Sequence, residues 1–168
     1  VQAASHDMLG EHDALIVDEA HDLVSRITSA ATHELTVNRV DRAARAARRH
    51  GHTTEDLDRA ARSLDAALGD HDPGRLRLGL NEQLAEAVEL VRSAARALLS
   101  AVQKASASGA EVGSATAKLA TAALQEVHDV CEELQGEHGR YVIWLAPADG
   151  DYESQVVERI VAAPLDVA

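Results

Sequence analysis

The chain has 168 residues and a formal net charge of −12, from 28 acidic against 16 basic side chains. That balance argues against the chain as a whole being a strong nucleic-acid binder, since such affinity comes largely from phosphate neutralisation. The single cysteine, Cys131, excludes an internal disulfide, and no apolar run is long enough to cross a bilayer or to serve as a signal segment. The length suits one ordinary domain, or a domain with a piece of another; an opening at Val1 that reads as mid-domain sequence favours a piece of a longer, soluble, intracellular protein.

The first predicted element is a strand over residues 14–18. Ala14-Leu15-Ile16-Val17 is a short apolar run with two β-branched residues, suited to a strand buried on both faces. It ends in Asp18-Glu19-Ala20-His21, and a helix is expected from about residue 19 to residue 30. Residues 36–50 form a clean amphipathic pattern: Val37, Val40, Ala43, Ala44 and Ala47 share one face at about 100° per residue, and Arg39, Arg42, Arg45, Arg48 and Arg49 take the other. Gly51 stops this helix. Thr53 or Thr54, followed by Glu55 and Asp56, starts the next, which runs to about Leu68 and closes in Gly69-Asp70-His71-Asp72-Pro73-Gly74.

A long helix is expected over residues 75–104, because Leu84, Val88, Val91, Ala95, Leu98 and Val102 advance in alternating steps of four and three, a heptad-like stripe. Residues 105–110 break it, and Ser108-x-x-Glu111 has the form of a capping box for a further helix over 112–136. That helix should bury Leu119, Ala123, Val127, Val130 and Leu134, and the short link between the two implies an antiparallel helical hairpin. The aromatic residues are Tyr141, Trp144 and Tyr152, so any core between residues 25 and 138 must be built from Ala, Leu and Val. Past Gly139 the pattern changes: residues 141–146 read as a strand, 147–151 as a turn and 155–163 as a second strand, with Val157, Arg159 and Val161 on one face. The points where the chain enters and leaves the helical block should therefore lie near each other.

Two carboxylates at the carboxyl end of a buried strand are the arrangement that nucleotide-hydrolysing α/β motors use: the Asp holds the nucleotide's magnesium and the Glu serves the attacking water. Asp18 and Glu19 stand in that order. The run from Leu15 through Asp18-Glu19-Ala20-His21-Asp22-Leu23-Val24 to Ser29 and Ala30 resembles motif II, the Walker B element, of the DinG/XPD group of DEAH-type DNA helicases. Residues 160–168, ending Pro164-Leu165-Asp166-Val167-Ala168, resemble the strand that precedes motif III there.

The resemblance implies a division into a motor-domain piece over residues 1–24, a helical insertion similar to the Arch domain over 25–138, and a return hairpin to the motor over 139–168. The expected fold class is thus mainly α, an antiparallel helical bundle with a short N-terminal strand and a C-terminal β-hairpin that belong to an α/β motor. It implies ATP and magnesium as cofactors, Asp18 at the magnesium, Glu19 at the hydrolytic water, and His21 linking nucleotide state to other motor motifs. Single-stranded DNA and the rest of the motor would be the partners, with no membrane, in a bacterial cytoplasmic, nucleoid-associated protein of DNA repair or replication. The iron–sulfur cluster common in the group takes cysteines upstream of motif II, beyond this sequence.

Nothing in the chain has the form Gly-x-x-x-x-Gly-Lys-Ser/Thr; Gly109-Ala110-Glu111-Val112-Gly113-Ser114 lacks the lysine. The expectation is half of an ATPase site at most. The arginine face of residues 36–50 is the candidate for nucleic-acid contact, set against a solvated helix face balanced by Glu55, Asp56 and Asp58. His128 and Cys131 have a metal-ligand spacing, but with no further thiol a buried apolar cysteine is the stronger reading. His6, Asp7, Glu11, His12 and Asp13 would bind a metal only if three or four converged. The rival from another class is a stand-alone helical interaction module with a fortuitous Asp-Glu-Ala-His.

Overall fold

The computed structural model describes residues 26, 28–107, 115–136, 141–147 and 156–165. The strand expected over 14–18, the motif residues Asp18, Glu19 and His21, the His6–Asp13 cluster and the capping box at Ser108 lie outside the described residues. Within them the chain is mainly helical with a small antiparallel sheet. The elements run β1 (His33–Thr36), α1 (Val37–Arg49), α2 (Glu55–Gly69), β2 (Gly74–Leu76), α3 (Glu82–Ala107), α4 (Ala115–Gln135), β3 (Tyr141–Ala146) and β4 (Arg159–Pro164).

Helix α1 begins where the sequence changes character. Thr36 is extended, and its hydroxyl accepts the Arg39 backbone N–H at 3.0 Å, satisfying one of the free donors of the first turn. The helix stops at His50, after which Gly51 takes a positive φ of 84° that a residue with a Cβ adopts only with strain. Val40, Ala43, Ala44 and Ala47 are all buried. Three alanines on one face let the axis of a neighbour come close, since helix separation follows the side chains at the contact.

Each helix packs on the next, α1 on α2, α2 on α3 and α3 on α4, and α4 returns to α1, closing a four-helix arrangement. Helices α3 and α4 are antiparallel: Gln135, at the end of α4, donates to the Ala85 carbonyl near the start of α3, and Arg92 approaches Glu132 at 3.9 Å. The heptad-like stripe of α3 is buried at every position named from the sequence, from Leu84 to Val102.

Two helix readings need correction. Residues 75–81 are not helical. Arg75-Leu76-Arg77-Leu78 alternates with period two, and Gly74–Leu76 pairs with β3 as a strand. Gly79 then turns with φ 78°, and the Asn81 side-chain oxygen accepts the Leu84 N–H at 2.9 Å, so α3 starts at the cap that Asn81 supplies. The Asn81 amide also donates to His71 Nε2 at 2.6 Å, which leaves the proton on Nδ1, facing the Ala67 carbonyl at 2.7 Å. In α4 the error is one of face. Leu119 is 66% exposed, while Ala117, Ala120, Leu124 and Cys131 join Val127, Val130 and Leu134 in the buried set.

The C-terminal hairpin forms as expected, β3 against β4 in register from Tyr141↔Pro164 to Ala146↔Arg159, with the second strand starting at Arg159 rather than at residue 155. The sheet is larger than the hairpin. Its order is β1-β4-β3-β2, so both outer strands come from the stretch assigned to the helical insertion. Leu35, Ile160, Ala162, Leu145 and partly buried Ile143 and Leu76 face the helices and join their core. One apolar core therefore serves bundle and sheet.

The register of α4 gives a direct stability test. Leu124→Ala, at a site with no exposed surface, is expected to cost about 2–5 kcal/mol in urea unfolding, and Leu119→Ala to stay within about 0.5 kcal/mol of the parent. Equal effects would show that the helix is rotated from the face described.

Candidate nucleic-acid interface

The five arginines of α1 separate into two groups. Arg39 is three-quarters buried at its side chain; it pairs with Glu126 of α4 at 3.4 Å and donates to the Glu34 carbonyl. Arg48 reaches α2: its Nε donates to Thr54 Oγ1 at 2.9 Å and its NH2 to Asp58 Oδ1 at 2.8 Å, while the Thr54 hydroxyl donates to Asp58 Oδ2 at 2.8 Å. Thr54 is the buried polar side chain among the described residues, at 4% exposure, and this triad satisfies it. These two arginines tie helices together. They are not available to a ligand without loss of structure.

Arg42, Arg45 and Arg49 are exposed and meet no partner among the described residues. They stand three and four residues apart, so they form a single stripe along one side of the helix. Guanidinium groups on such a stripe suit phosphate oxygens. Of the nearby acids proposed to neutralise the face, Asp58 is held by Arg48 and Asp56 by Arg59 at 3.2 Å. Three arginines against Asp41 on the same helix leave the stripe a net positive charge, and no aromatic ring accompanies it on α1, so contact would be with backbone phosphates rather than by base stacking.

His128 and Cys131 do not act as a pair. Cys131 is fully buried in the core, and burial pushes its thiol up to about 12, against a smaller opposing pull from Arg92. The His128 ring instead turns Nδ1 toward Asp129 at 3.4 Å and Glu132 at 3.8 Å. These three offer ligand atoms within 4.8 Å of one another, but both carboxylates are exposed on the same helix surface. Close by, the Ser93 hydroxyl, donating at 2.7 Å, is the main cause that holds the Glu89 carboxyl below its ordinary range; Gln135 and Arg92 act in the same direction.

A second feature carries no signal in the helical periodicities. The stretch between β2 and α3 walls a cleft of about 470 Å³ together with the end of α4 and the start of β3; Arg75, Arg77, Leu78 and Tyr141 are among its lining residues. The alternating Arg-Leu-Arg-Leu of residues 75–78 is the sequence trace of it.

The separation of the arginines predicts different costs. Arg48→Ala should lower stability by about 1–2 kcal/mol, since it removes the guanidinium donors to Thr54 Oγ1 and Asp58 Oδ1 that join α1 to α2, and Arg45→Ala should change it by less than about 0.5 kcal/mol; urea midpoints of the two variants check this. The Cys131 thiol should react with a neutral-pH disulfide reagent at least about a hundredfold more slowly in the folded chain than in denaturant, because the thiolate is the reacting species.

No protein-family model matches the chain. Over 75 residues, 44% of its length, it is 40% identical to the ATP-dependent helicase DinG of Mycobacterium tuberculosis, and to the same degree to the ATP-dependent helicase DinG of Mycobacterium bovis. The match spans 11% of the length of those relatives, so what is shared is a local segment of a much longer helicase sequence.

Proposed function

We propose that the chain is part of an ATP-dependent DNA helicase, containing motif II and a helical insertion, whose parent protein couples ATP hydrolysis to movement on single-stranded DNA and duplex unwinding. The similarity to helicase DinG carries this reading. The pairing of β1 with β4 supports the insertion: residues 33–36 and 159–162 lie side by side, so the chain enters and leaves the helical block at one place. In this reading residues 1–24 belong to the motor, 25–138 form the insertion and 139–168 lead back, the hairpin also closing the base of the bundle.

Asp18 and Glu19 offer carboxylate oxygens, the donor type that magnesium takes. Bound ATP with its magnesium supplies the phosphoryl chemistry. Asp18 would hold the metal complex, Glu19 would orient and deprotonate the attacking water, and His21 would link the state of the site to the rest of the motor. The sequence contains no phosphate-cradling loop, so the 168-residue chain by itself is inactive. Arg42, Arg45 and Arg49 guide single-stranded DNA by its phosphates.

Two measurements test this. The purified chain should show no ATP turnover, and turnover by it that disappears with Glu19→Gln would refute the inactivity of the isolated chain; in the parent protein Glu19→Gln should lower kcat by about a hundredfold or more, the range of a lost general base, and an unchanged kcat would refute the role of Glu19. In the parent protein, reversing charge at Arg42, Arg45 and Arg49 together should weaken binding of an oligo-dT strand. It should also reduce the slope of log affinity against log salt by about 2, at about 0.7 per phosphate contact on a single strand. An unchanged slope removes the arginine stripe from the DNA path and leaves the helicase reading in place.

A further inference from the structure

The cleft between β2, the 77–80 turn and the end of α4 combines three properties. Its floor is apolar: Leu76, Leu80 and Leu134 line it, with Ile143 from the sheet. Its rim carries two leucines that gain nothing from the fold, Leu78 at 91% exposure and Leu165 at 60%. On the same rim stand Arg75 and Arg77, both exposed and unpaired with any carboxylate of the described residues. The strand beside it, β2, is the last in the sheet order, so its outer edge has no neighbouring strand among the described residues.

Each property by itself is ordinary. Together they describe a surface that offers an extended segment apolar seats, cations and a backbone edge at the same place. The charge selects the occupant. In a chain with an excess of twelve negative charges, two free guanidinium groups beside exposed leucines complement a ligand in which carboxylates and apolar side chains alternate. A nucleic-acid strand fits less well: the floor is built of leucine and isoleucine side chains, which offer bases no stacking face, whereas Glu133 in the lining opposes a phosphate and a carboxylate alike.

We propose that this cleft is a docking site for an extended acidic–apolar peptide segment of a partner protein, with Leu78 and Leu165 gripping its apolar side chains and Arg75 and Arg77 its carboxylates. The site stands apart from the arginine stripe of α1 and does not depend on the helicase reading. Its occupancy would recruit a protein to the helical block and leave the arginine stripe of α1 open.

The test uses the 168-residue chain and a fluorescein-labelled hexapeptide of alternating glutamate and leucine, followed by anisotropy, with amide chemical shifts mapping the contact. Saturable binding that shifts Arg75, Leu78, Tyr141 and Leu165 is expected. Arg75→Glu with Arg77→Glu should raise Kd at least about tenfold, as should Leu78→Ser, with the far-ultraviolet spectrum unchanged since all three sites are exposed. The Arg42, Arg45 and Arg49 reversal should leave Kd as it was. The proposal is overturned if a lysine–leucine hexapeptide binds as tightly, if an oligo-dT strand shifts the same residues and displaces the peptide, or if no binding occurs up to millimolar peptide.

Discussion

The antiparallel pairing of β1 with β4 is the contact on which the rest of the molecule depends. Glu34 and Arg159 belong to it and also meet through their side chains at 3.3 Å, across 125 residues of chain. Closing a loop of that length costs about 4 kcal/mol in chain entropy beyond a constant term, so the two strands cannot hold together by their own hydrogen bonds. The helices make the closure possible. Leu35 and Ile160, one on each strand, are fully buried against the bundle, and the same apolar core that stabilises α1 to α4 fixes the two ends of the block side by side.

That core is made without aromatic residues from the helices, and its composition decides its geometry. Alanines at 43, 44 and 47 of α1, 60, 61 and 67 of α2, and 117 and 120 of α4 are buried. Small side chains bury little area each, so stability must come from close approach of the backbones and from leucines and valines seated between them. Leu57, Leu64, Leu84 and Leu124 fill that role with essentially no exposed surface. A layer of this kind tolerates loss of a large residue poorly, because rigid neighbouring helices collapse little into the space.

How much could be read from the amino acids varied with the length of the interactions involved. Helices α1, α2 and α3 are written locally, in the period of their apolar residues and in caps such as Thr36. The bounds of α1 differ from the expected ones only at the terminal residues. Strand β2 is hard to read because the alternation of residues 75–78 is too short to stand out beside the long helical stripe that follows, and what defines the strand is its pairing with β3, some seventy positions later in the chain. Leu119 was misplaced for a different reason. Counting from Val127 at about 100° per residue, the buried residues of α4 centre toward Leu124 and Cys131, leaving Leu119 about a quarter turn from that centre, just beyond the edge of the arc. Helix α4 contacts both α1 and α3, and this second neighbour moves the centre of its buried arc toward small residues that a search for large ones passes over. The arginines of α1 show the same limit at the level of function: spacing put all five on one face, but only the positions of Glu126, Thr54 and Asp58 reveal that Arg39 and Arg48 are already committed. Asp18, Glu19 and His21 remain legible as a motif alone.

The division of charge follows from the same architecture. A chain with a large acidic excess can present a basic surface only where its own carboxylates are turned away or engaged, and here the engagement is structural. Asp58 is consumed in joining α1 to α2, Glu126 in joining α4 to α1, and Glu34 in joining β1 to β4. Each of these ion pairs sits at a junction between elements, where partial burial strengthens it relative to a fully solvated pair. The consequence is that the pairs do two things at once: they fix the packing, and they neutralise three of the chain's carboxylates at the junctions. Net charge therefore describes the chain's behaviour at long range, and the arrangement of junction pairs decides what a phosphate or a carboxylate meets on contact.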